Sequence, residues 1–423
     1  MPLSETDHRR DFDALAERLD RQGGSAEAAV DAVRRFAVAV PSWALGTGGT
    51  RFGRFPGAGE PRDVFEKVED CAQIHRLTAA TPTVSLHIPW DEPDDPAALR
   101  DHAAELGLGF DAVNSNTFQD PPEARHSYKL GSFSNPDAGA RRQAVEHNLH
   151  TVEVGRALGS DAITVWLADG TNYPGQANLR RSYDRVLGCL EEVYSALPSG
   201  WRLFTEHKPY EPAFYSTVVQ DWGTSLMLAQ ALGDRASCLV DLGHHLPNTN
   251  IEMVVARLVS AGKLGGFHFN DSKYGDDDLT AGSIRPYQLF LVFHELALAA
   301  RDAASGDGEA GGFAPAYMID QSHNLKDPIE ALLQTVDQLQ QACAKAALVD
   351  HAALEGHQEA GDVILAEMAL KDAYETDVRP LVREARLRGG GALEPVAAFR
   401  QSGYRAKVSG ERESGAYVPP QSL

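Results

Sequence analysis

The chain has 423 residues, 43% of them hydrophobic, with 60 acidic side chains against 39 basic ones and a formal charge of −21. That length is enough to bury a large core, and so acidic a balance excludes a broad face for nucleic acid or anionic lipid. No apolar run reaches the roughly 18 residues of a membrane span. The polar, acidic start at Ser4-Glu5-Thr6-Asp7 lacks the basic and apolar stretches of a signal peptide. Cys71, Cys189, Cys238 and Cys343 are scattered, with no C-x-x-C pair. That argues against a disulfide framework or a zinc ribbon and suits a reducing, cytoplasmic setting.

The N-terminal part reads as helix. Residues 11–19 and 25–40 carry apolar side chains at helical spacing, with Ser25 placed as an N-cap. After Pro41 the texture changes to short apolar, β-branched runs alternating with amphipathic stretches, which predicts βα units and a parallel sheet. Eight runs are found, at 42–46, 83–88, 110–114, 162–167, 202–206, 238–242, 266–270 and 316–320. Helices are predicted at 64–79, 139–158, 177–196 and 329–348, and, in the C-terminal part, at 362–373 and 379–387.

Eight strands in this alternation point to an α/β fold of the (β/α)8 TIM-barrel class more than to an open sheet. The predicted division is an N-terminal helical extension over 1–40, a catalytic barrel over 41–348, and a C-terminal helical extension and tail over 349–423. The ordering of the polar tail, rich in Gly, Ser and Glu, that follows the last predicted helix is expected to come from subunit contacts.

Nearly every predicted strand ends in a polar, charged or aromatic residue. These are His87, Asn114 with Asn116, Trp166, Glu206 with Lys208, Asp241 with His244, His268 with Asp271, and Asp320. In a barrel the C-terminal strand ends converge on one mouth, where active sites sit. Glu206, Asp241, His268 and Asp320 end four successive strands, and a mixed carboxylate–imidazole set without thiolates suits Mn²⁺, Mg²⁺, Co²⁺ or Zn²⁺.

His244, Asp276 and Asp278 form a second set just beyond the strands. A D-x-D pair in an extended loop would put both carboxylates on one side, able to hold a second cation. Taken alone, such a pair is more often a solvated acidic loop, and His244-His245 is more often packing or capping. Only a shared barrel end favours ligation.

The blocks Phe204-Thr205-Glu206-His207-Lys208-Pro209-Tyr210-Glu211-Pro212, Val240-Asp241-Leu242-Gly243-His244-His245 and Gly266-Phe267-His268-Phe269-Asn270-Asp271-Ser272-Lys273 resemble L-rhamnose isomerase. So do Val84-Ser85-Leu86-His87-Ile88-Pro89-Trp90-Asp91, Trp166-Leu167-Ala168-Asp169-Gly170 and Asn172-Tyr173-Pro174-Gly175-Gln176. The similarity runs over about residues 43–324 and is clearest to the broad-specificity bacterial branch, related to the xylose isomerase-like barrels.

The resemblance implies interconversion of L-rhamnose and L-rhamnulose, and of other aldoses such as L-mannose, L-lyxose and D-allose, by C1–C2 hydrogen transfer at a two-metal site, with Mn²⁺ as the expected ion. It implies that Glu206, Asp241, His268 and Asp320 hold a structural metal binding O2 and O3. His244, Asp276 and Asp278 would hold a catalytic metal near O1 and O2. Lys208 would hydrogen-bond O1, His87 and Trp166 would line the sugar, and Phe52 in the 46–59 segment would reach a neighbour's pocket in a homotetramer.

Gly46-Thr47-Gly48-Gly49-Thr50-Arg51-Phe52-Gly53 lacks G-K-[ST] and does not fit G-x-G-x-x-G, so it reads as a lid or intersubunit loop. Ser322 is expected to face the mouth and touch the sugar's far end. His323 and Asn324 read as substrate contacts or helix caps, and His147, His150, His207 and His245 as packing or surface residues.

Two other enzyme classes compete. A ketose 3-epimerase would use one metal and two facing glutamates, but the eighth strand offers Asp320 and a second donor set exists. A metal-dependent phosphodiesterase or nuclease would need a basic groove that this acidic chain does not suggest. A non-catalytic sugar-binding protein has no use for so many metal donors.

Overall fold

The computed structural model describes residues 3–46, 55, 57–121, 124–305, 313–322 and 325–412. Two helices open the chain, α1 (Glu5–Arg21) and α2 (Ala26–Arg35), each capped by a serine hydroxyl: Ser4 accepts from the Asp7 amide and Ser25 from the Ala28 amide. The barrel strands follow as β1 (Val40–Pro41), β2 in two pieces (Thr83–Ser85 and His87–Ile88), β3 in two pieces (Gly109–Phe110 and Val113–Ser115), β4 (Ala162–Trp166), β5 (Arg202–Glu206), β6 (Ala236–Asp241), β7 (Leu264–Phe269) and β8 (Ala316–Ile319).

All neighbouring pairs are parallel, and a parallel bridge between Ala39 and Met318 joins the first strand to the last. Each strand is followed by one helix: α3 (Val64–Thr78), α4 (Pro96–Glu105), α5 (Ala138–Leu158), α6 (Leu179–Ala196), α7 (Trp222–Leu232), α8 (Ile251–Ser260), α9 (Pro286–Ser305) and α10 (Pro328–Ala347). The fold is a (β/α)8 barrel, with helices added at both ends.

The barrel interior is a filled core. Ala39, Ala112 and Ala162 leave room that Phe204, Leu239 and Met318 occupy, all of them fully buried. On β7, a Cβ added to Gly265 would lie 2.7 Å from both the Phe204 ring and Ser237 Cβ, so glycine there is a packing requirement. The larger core lies between strands and helices and is dominated by Val, Leu and Ile.

The strand predicted at 42–46 is displaced: pairing occurs at Val40–Pro41, and Ser42–Ala44 is a 3-10 turn. The runs predicted at 83–88 and 110–114 are each interrupted, at Leu86 and at 111–112. The remaining strands agree within two residues, and α4, α7, α8 and α9 complete the alternation.

The C-terminal extension folds as α11 (His351–Glu359), α12 (Val363–Glu375), α13 (Arg379–Arg388), α14 (Pro395–Gln401) and α15 (Tyr404–Glu411). The expectation that subunit contacts order the polar tail needs correction as far as Arg412, because that part, like the rest of the extension, packs on its own chain. Val378, Leu381, Val382 and Ala385 join Phe12, Val30 and Val33 in one apolar cluster. The buried Glu384 takes His8 at 2.8 Å and Arg388 at 2.8 Å. Asp70 on α3 takes the Tyr404 hydroxyl at 2.6 Å and Arg412 at 2.9 Å. No described helix is long and apolar enough to cross a membrane.

Candidate active site

The strand ends of β5 to β8 bring four donors together. One ligand atom from each of Glu206, Asp241, His268 and Asp320 lies within 4.8 Å of the others, and among the described residues no other His/Cys/Asp/Glu group does so. Nδ1 of His268 is the hub, 3.1 Å from Glu206 Oε1 and 3.8 Å from both Asp241 Oδ2 and Asp320 Oδ2. Two of the three carboxylates, Asp241 and Asp320, are also aimed from behind. Asn270 donates from Nδ2 to both Asp241 oxygens at 3.0 and 3.2 Å, and the Gly243 amide adds a third contact at 2.7 Å. The indole of Trp43 donates to Asp320 Oδ1 at 2.7 Å.

Electrostatics reflect three carboxylates crowded round one ring. Burial opposes charge on Glu206, yet His268 and His244 outweigh it and hold its carboxyl below the usual range. Burial pushes Asp241 up to about 7 and also raises Asp320. Burial would lower His268, but Glu206 and then the two aspartates lift it to about 9, and His244 is raised well above its ordinary value by Asp241 and Asp276 against the same burial. So much buried negative charge is costly without a cation among it. Three carboxylates and one imidazole converging with no thiolate are a donor set that fits a hard or borderline divalent ion.

The second set is arranged differently from the extended loop expected. Asp276 and Asp278 both adopt left-handed backbone, with φ of 53° and 47°, a region that non-glycine residues seldom enter and Asp tolerates better than most. The two carboxylates therefore meet different partners. Asp276 Oδ1 lies 2.9 Å from His244 Nε2, and Asp276 Oδ2 pairs with the Lys208 ammonium. Asp278 Oδ2 accepts from Ser322 at 2.8 Å. His244 also reaches the first cluster, with Nδ1 at 3.1 Å from Glu206 Oε1. Lys208 Nζ lies 3.2 Å from Glu211 Oε2 and 4.9 Å from the centre of the Trp166 ring.

Aromatic rings adjoin the donors, Trp43 beside Asp320 and Trp166 beside Lys208. His87 stacks on Trp90 at 4.2 Å between centroids, Trp43 meets His87 edge-on at 5.5 Å, and Phe118 meets Trp166 at 4.8 Å. Burial drops His87 to about 3, so the ring is neutral. Trp43, Trp90 and Phe118 are not among the site residues that the strand ends suggest. Trp90 stands within the His87 block and could have been found by asking which aromatics follow a strand end. Phe52, His323 and Asn324 lie outside the described residues.

Several strand-end polar residues serve the backbone instead. Asn114 donates to Ser85 Oγ and Leu86 O, and Asp271 Oδ2 accepts the amides of Ile284 and Arg285 at 2.7 and 2.9 Å. His207 and His245 pack edge-on at 4.8 Å, and His147 meets Ile88 O at 3.2 Å, as packing residues do. His150 pairs with Glu92 at the surface.

Fold and site together define a (β/α)8 barrel with a divalent-cation donor set and an aromatic wall at its mouth. The chain is 61% identical over 406 residues to a probable sugar isomerase of Mesorhizobium japonicum, covering 96% of this chain and 93% of that one. It is 58% identical over 407 residues to a probable sugar isomerase of Rhizobium meliloti, with the same coverage. The chain belongs to this family of probable sugar isomerases.

A xylose isomerase of Thermus thermophilus matches at 29% over 191 residues, 42% of this chain and 47% of that one. No protein-family model matches. Among solved structures, an L-ribulose 3-epimerase superposes with a TM-score of 0.50 at 17% identity, over 80% of this chain and 97% of that one. A D-allulose 3-epimerase from Methylomonas sp. gives 0.51 at 11%, over 73% and 98%. These two show the shared barrel fold.

Proposed function

We propose that the protein is a metal-dependent aldose–ketose isomerase that moves hydrogen between C1 and C2 of an open-chain sugar, with L-rhamnose and L-rhamnulose as the leading pair and L-mannose, L-lyxose and D-allose as further substrates. The observation that carries this reading is the joint placement of a four-donor cluster and a buried lysine at one barrel mouth. Glu206, Asp241, His268 and Asp320 would hold one divalent ion, with Mn²⁺ the first choice, and His244, Asp276 and Asp278 a second. When bound, such ions polarise a carbonyl and lower the pKa of a sugar hydroxyl.

The side chains supply the rest. Lys208, held between Asp276 and Glu211, would present its ammonium where negative charge grows on O1, and its burial makes that charge count for more than in water. Trp43, His87, Trp90, Phe118 and Trp166 would pack on the sugar's C–H faces and keep water from the reacting carbons. Ser322, bonded to Asp278, would stand beside the second ion's ligands, near O1 and O2 and not at the sugar's far end. Phe52 of a neighbouring subunit would close the pocket in a homotetramer.

The test is a ketose-formation assay of the purified, Mn²⁺-loaded protein with the four aldoses. C1–C2 isomerisation of L-rhamnose supports the reading. Epimerisation of ketoses at C3, with no aldose turned over, would replace it by a 3-epimerase.

A further inference from the structure

Away from the barrel mouth, a cleft of about 770 Å³ opens between α10, the 280–283 turn before α9, and the α13–α14 region of the C-terminal extension. Its volume is in the range of small-molecule sites. Five cationic side chains line it, Lys326, Arg379, Arg383, Arg386 and Arg400, against two carboxylates, Asp337 and Glu394. Asp377 and Glu330 behind Arg379 and Arg400 bring the carboxylates to four, which leaves an excess of one positive charge at Lys326 in a chain whose overall charge is −21.

Two of the five are already closed by bidentate pairs: Arg379 with Asp377 at 2.6 and 2.8 Å, and Arg400 with Glu330 at 2.7 and 2.8 Å. Among the described residues the other three keep donors in hand. Lys326 Nζ meets only neutral oxygens among the described residues, Thr280 Oγ1 and Gln334 Oε1, both at 3.0 Å. Arg383 gives one bond, to Glu394 at 3.0 Å. Arg386 is 2% exposed and gives one bond to Asp337 at 2.6 Å and one to Gln340 at 2.7 Å. A guanidinium carries five N–H donors in a planar fork suited to oxyanions. The lining therefore has more donors than acceptors, which is what a ligand rich in anionic oxygen needs.

We propose that this cleft binds a small metabolite bearing two or more anionic oxygens, a di- or tricarboxylate or a phosphate ester, held by Lys326, Arg383 and Arg386. The site is also wired to the barrel mouth. Its wall at Thr280–Ser283 is the last stretch of the loop that carries Asp276 and Asp278, closed at its base by the reciprocal backbone bonds of Asp271 and Leu279 at 2.9 and 3.0 Å. Ala281 N donates to Thr335 on α10 at 3.3 Å, and Lys326 holds Thr280. Occupancy would draw on Lys326 and so load the loop that positions Asp276 against His244 and Lys208.

Calorimetric titration of the metal-loaded enzyme with tricarballylate and with glycerol 2-phosphate, against neutral glycerol, tests the site. Saturable binding of at least one anion, none of glycerol, and at least a tenfold loss in Lys326→Gln/Arg383→Gln with retention in Arg383→Lys is the expected result; which anion binds identifies the group recognised. No saturable binding, or equal binding by the double variant, overturns the site. Control of the loop rests on the isomerase reading and is read separately, as a changed kcat at saturating aldose. Binding with an unchanged kcat removes the control and leaves the site.

Discussion

The indole N–H of Trp43 donates to Oδ1 of Asp320 at 2.7 Å, joining the turn after β1 to the end of β8 at the point where the barrel closes. Asp320 is the most exposed of the four clustered donors, so its orientation depends on this bond more than on packing. Groups that orient a ligand carboxylate typically contribute about 10–100-fold in metal affinity. Trp43→Phe is expected to weaken binding of the first ion by that factor while the protein stays folded, measured by competition with a chelating dye. Unchanged affinity would show that Asp320 needs no such partner.

Metal binding should be strongly pH-dependent. In the metal-free protein His268, raised to about 9, is protonated at neutral pH and Asp241, raised to about 7, is about half protonated, and both must lose those protons to ligate. Apparent affinity should therefore rise as pH goes from about 6 to 9, with protons released on binding, read by titration in buffers of different ionisation heat. The linkage for the metal-free protein runs the other way. The raised His268 contributes stability that is complete below its ordinary value of about 6.5 and lost as pH rises through about 9. Metal-free protein that grows more stable from pH 7 to 10 would contradict that contribution.

Lys208 should act on the transition state. If its ammonium stabilises charge growing on O1, Lys208→Met is expected to lower kcat by about 10²–10³ with little change in KM. The pairing of Lys208 with Asp276 adds a check, since the variant leaves that carboxylate facing His244 alone and metal content must be measured alongside. A rise in KM with unchanged kcat would assign Lys208 to ground-state binding.

Asp276→Asn with Asp278→Asn tests the second donor set. One of two bound ions should be lost, isomerisation should nearly vanish, and the ion held by Glu206, Asp241, His268 and Asp320 should remain. Because Asp276 and Asp278 meet different partners, His244 and Ser322, in left-handed backbone, the single variants should differ. Unchanged stoichiometry with retained activity would remove the second site.

Assembly is tested by light scattering at assay concentration. A homotetramer is expected, and Phe52→Ala should weaken binding of deoxy sugars more than of their hydroxylated counterparts, because an apolar wall prefers a methyl group. A fully active monomer would end the proposal of a shared pocket.

Much of the fold was legible in the chain, for local reasons. The alternation of apolar runs with helical stretches reports burial on both strand faces, and the polar residues ending those runs report a mouth, so β4 to β8 and the four-donor cluster could be read within two residues. What resisted reading was set by contacts remote in sequence. The β1 run was placed late because Val40 is drawn into the sheet by Ala39 closing on Met318, a pairing between the two ends of the barrel. Asn114 and Asp271 look like site residues in sequence, yet the turns that bring backbone amides and carbonyls to them make them braces.

The amino-acid sequence by itself determined which side chains stand at the strand ends and that their chemistry suits a divalent ion, because side-chain type and period are local properties. Only the tertiary structure decided how they are shared: that His268 is the hub, that Trp43 and Asn270 aim the carboxylates, and that left-handed turns send Asp276 to His244 and Lys208 and Asp278 to Ser322. Those choices depend on backbone conformation and on partners tens or hundreds of residues away, which no pattern along the chain encodes.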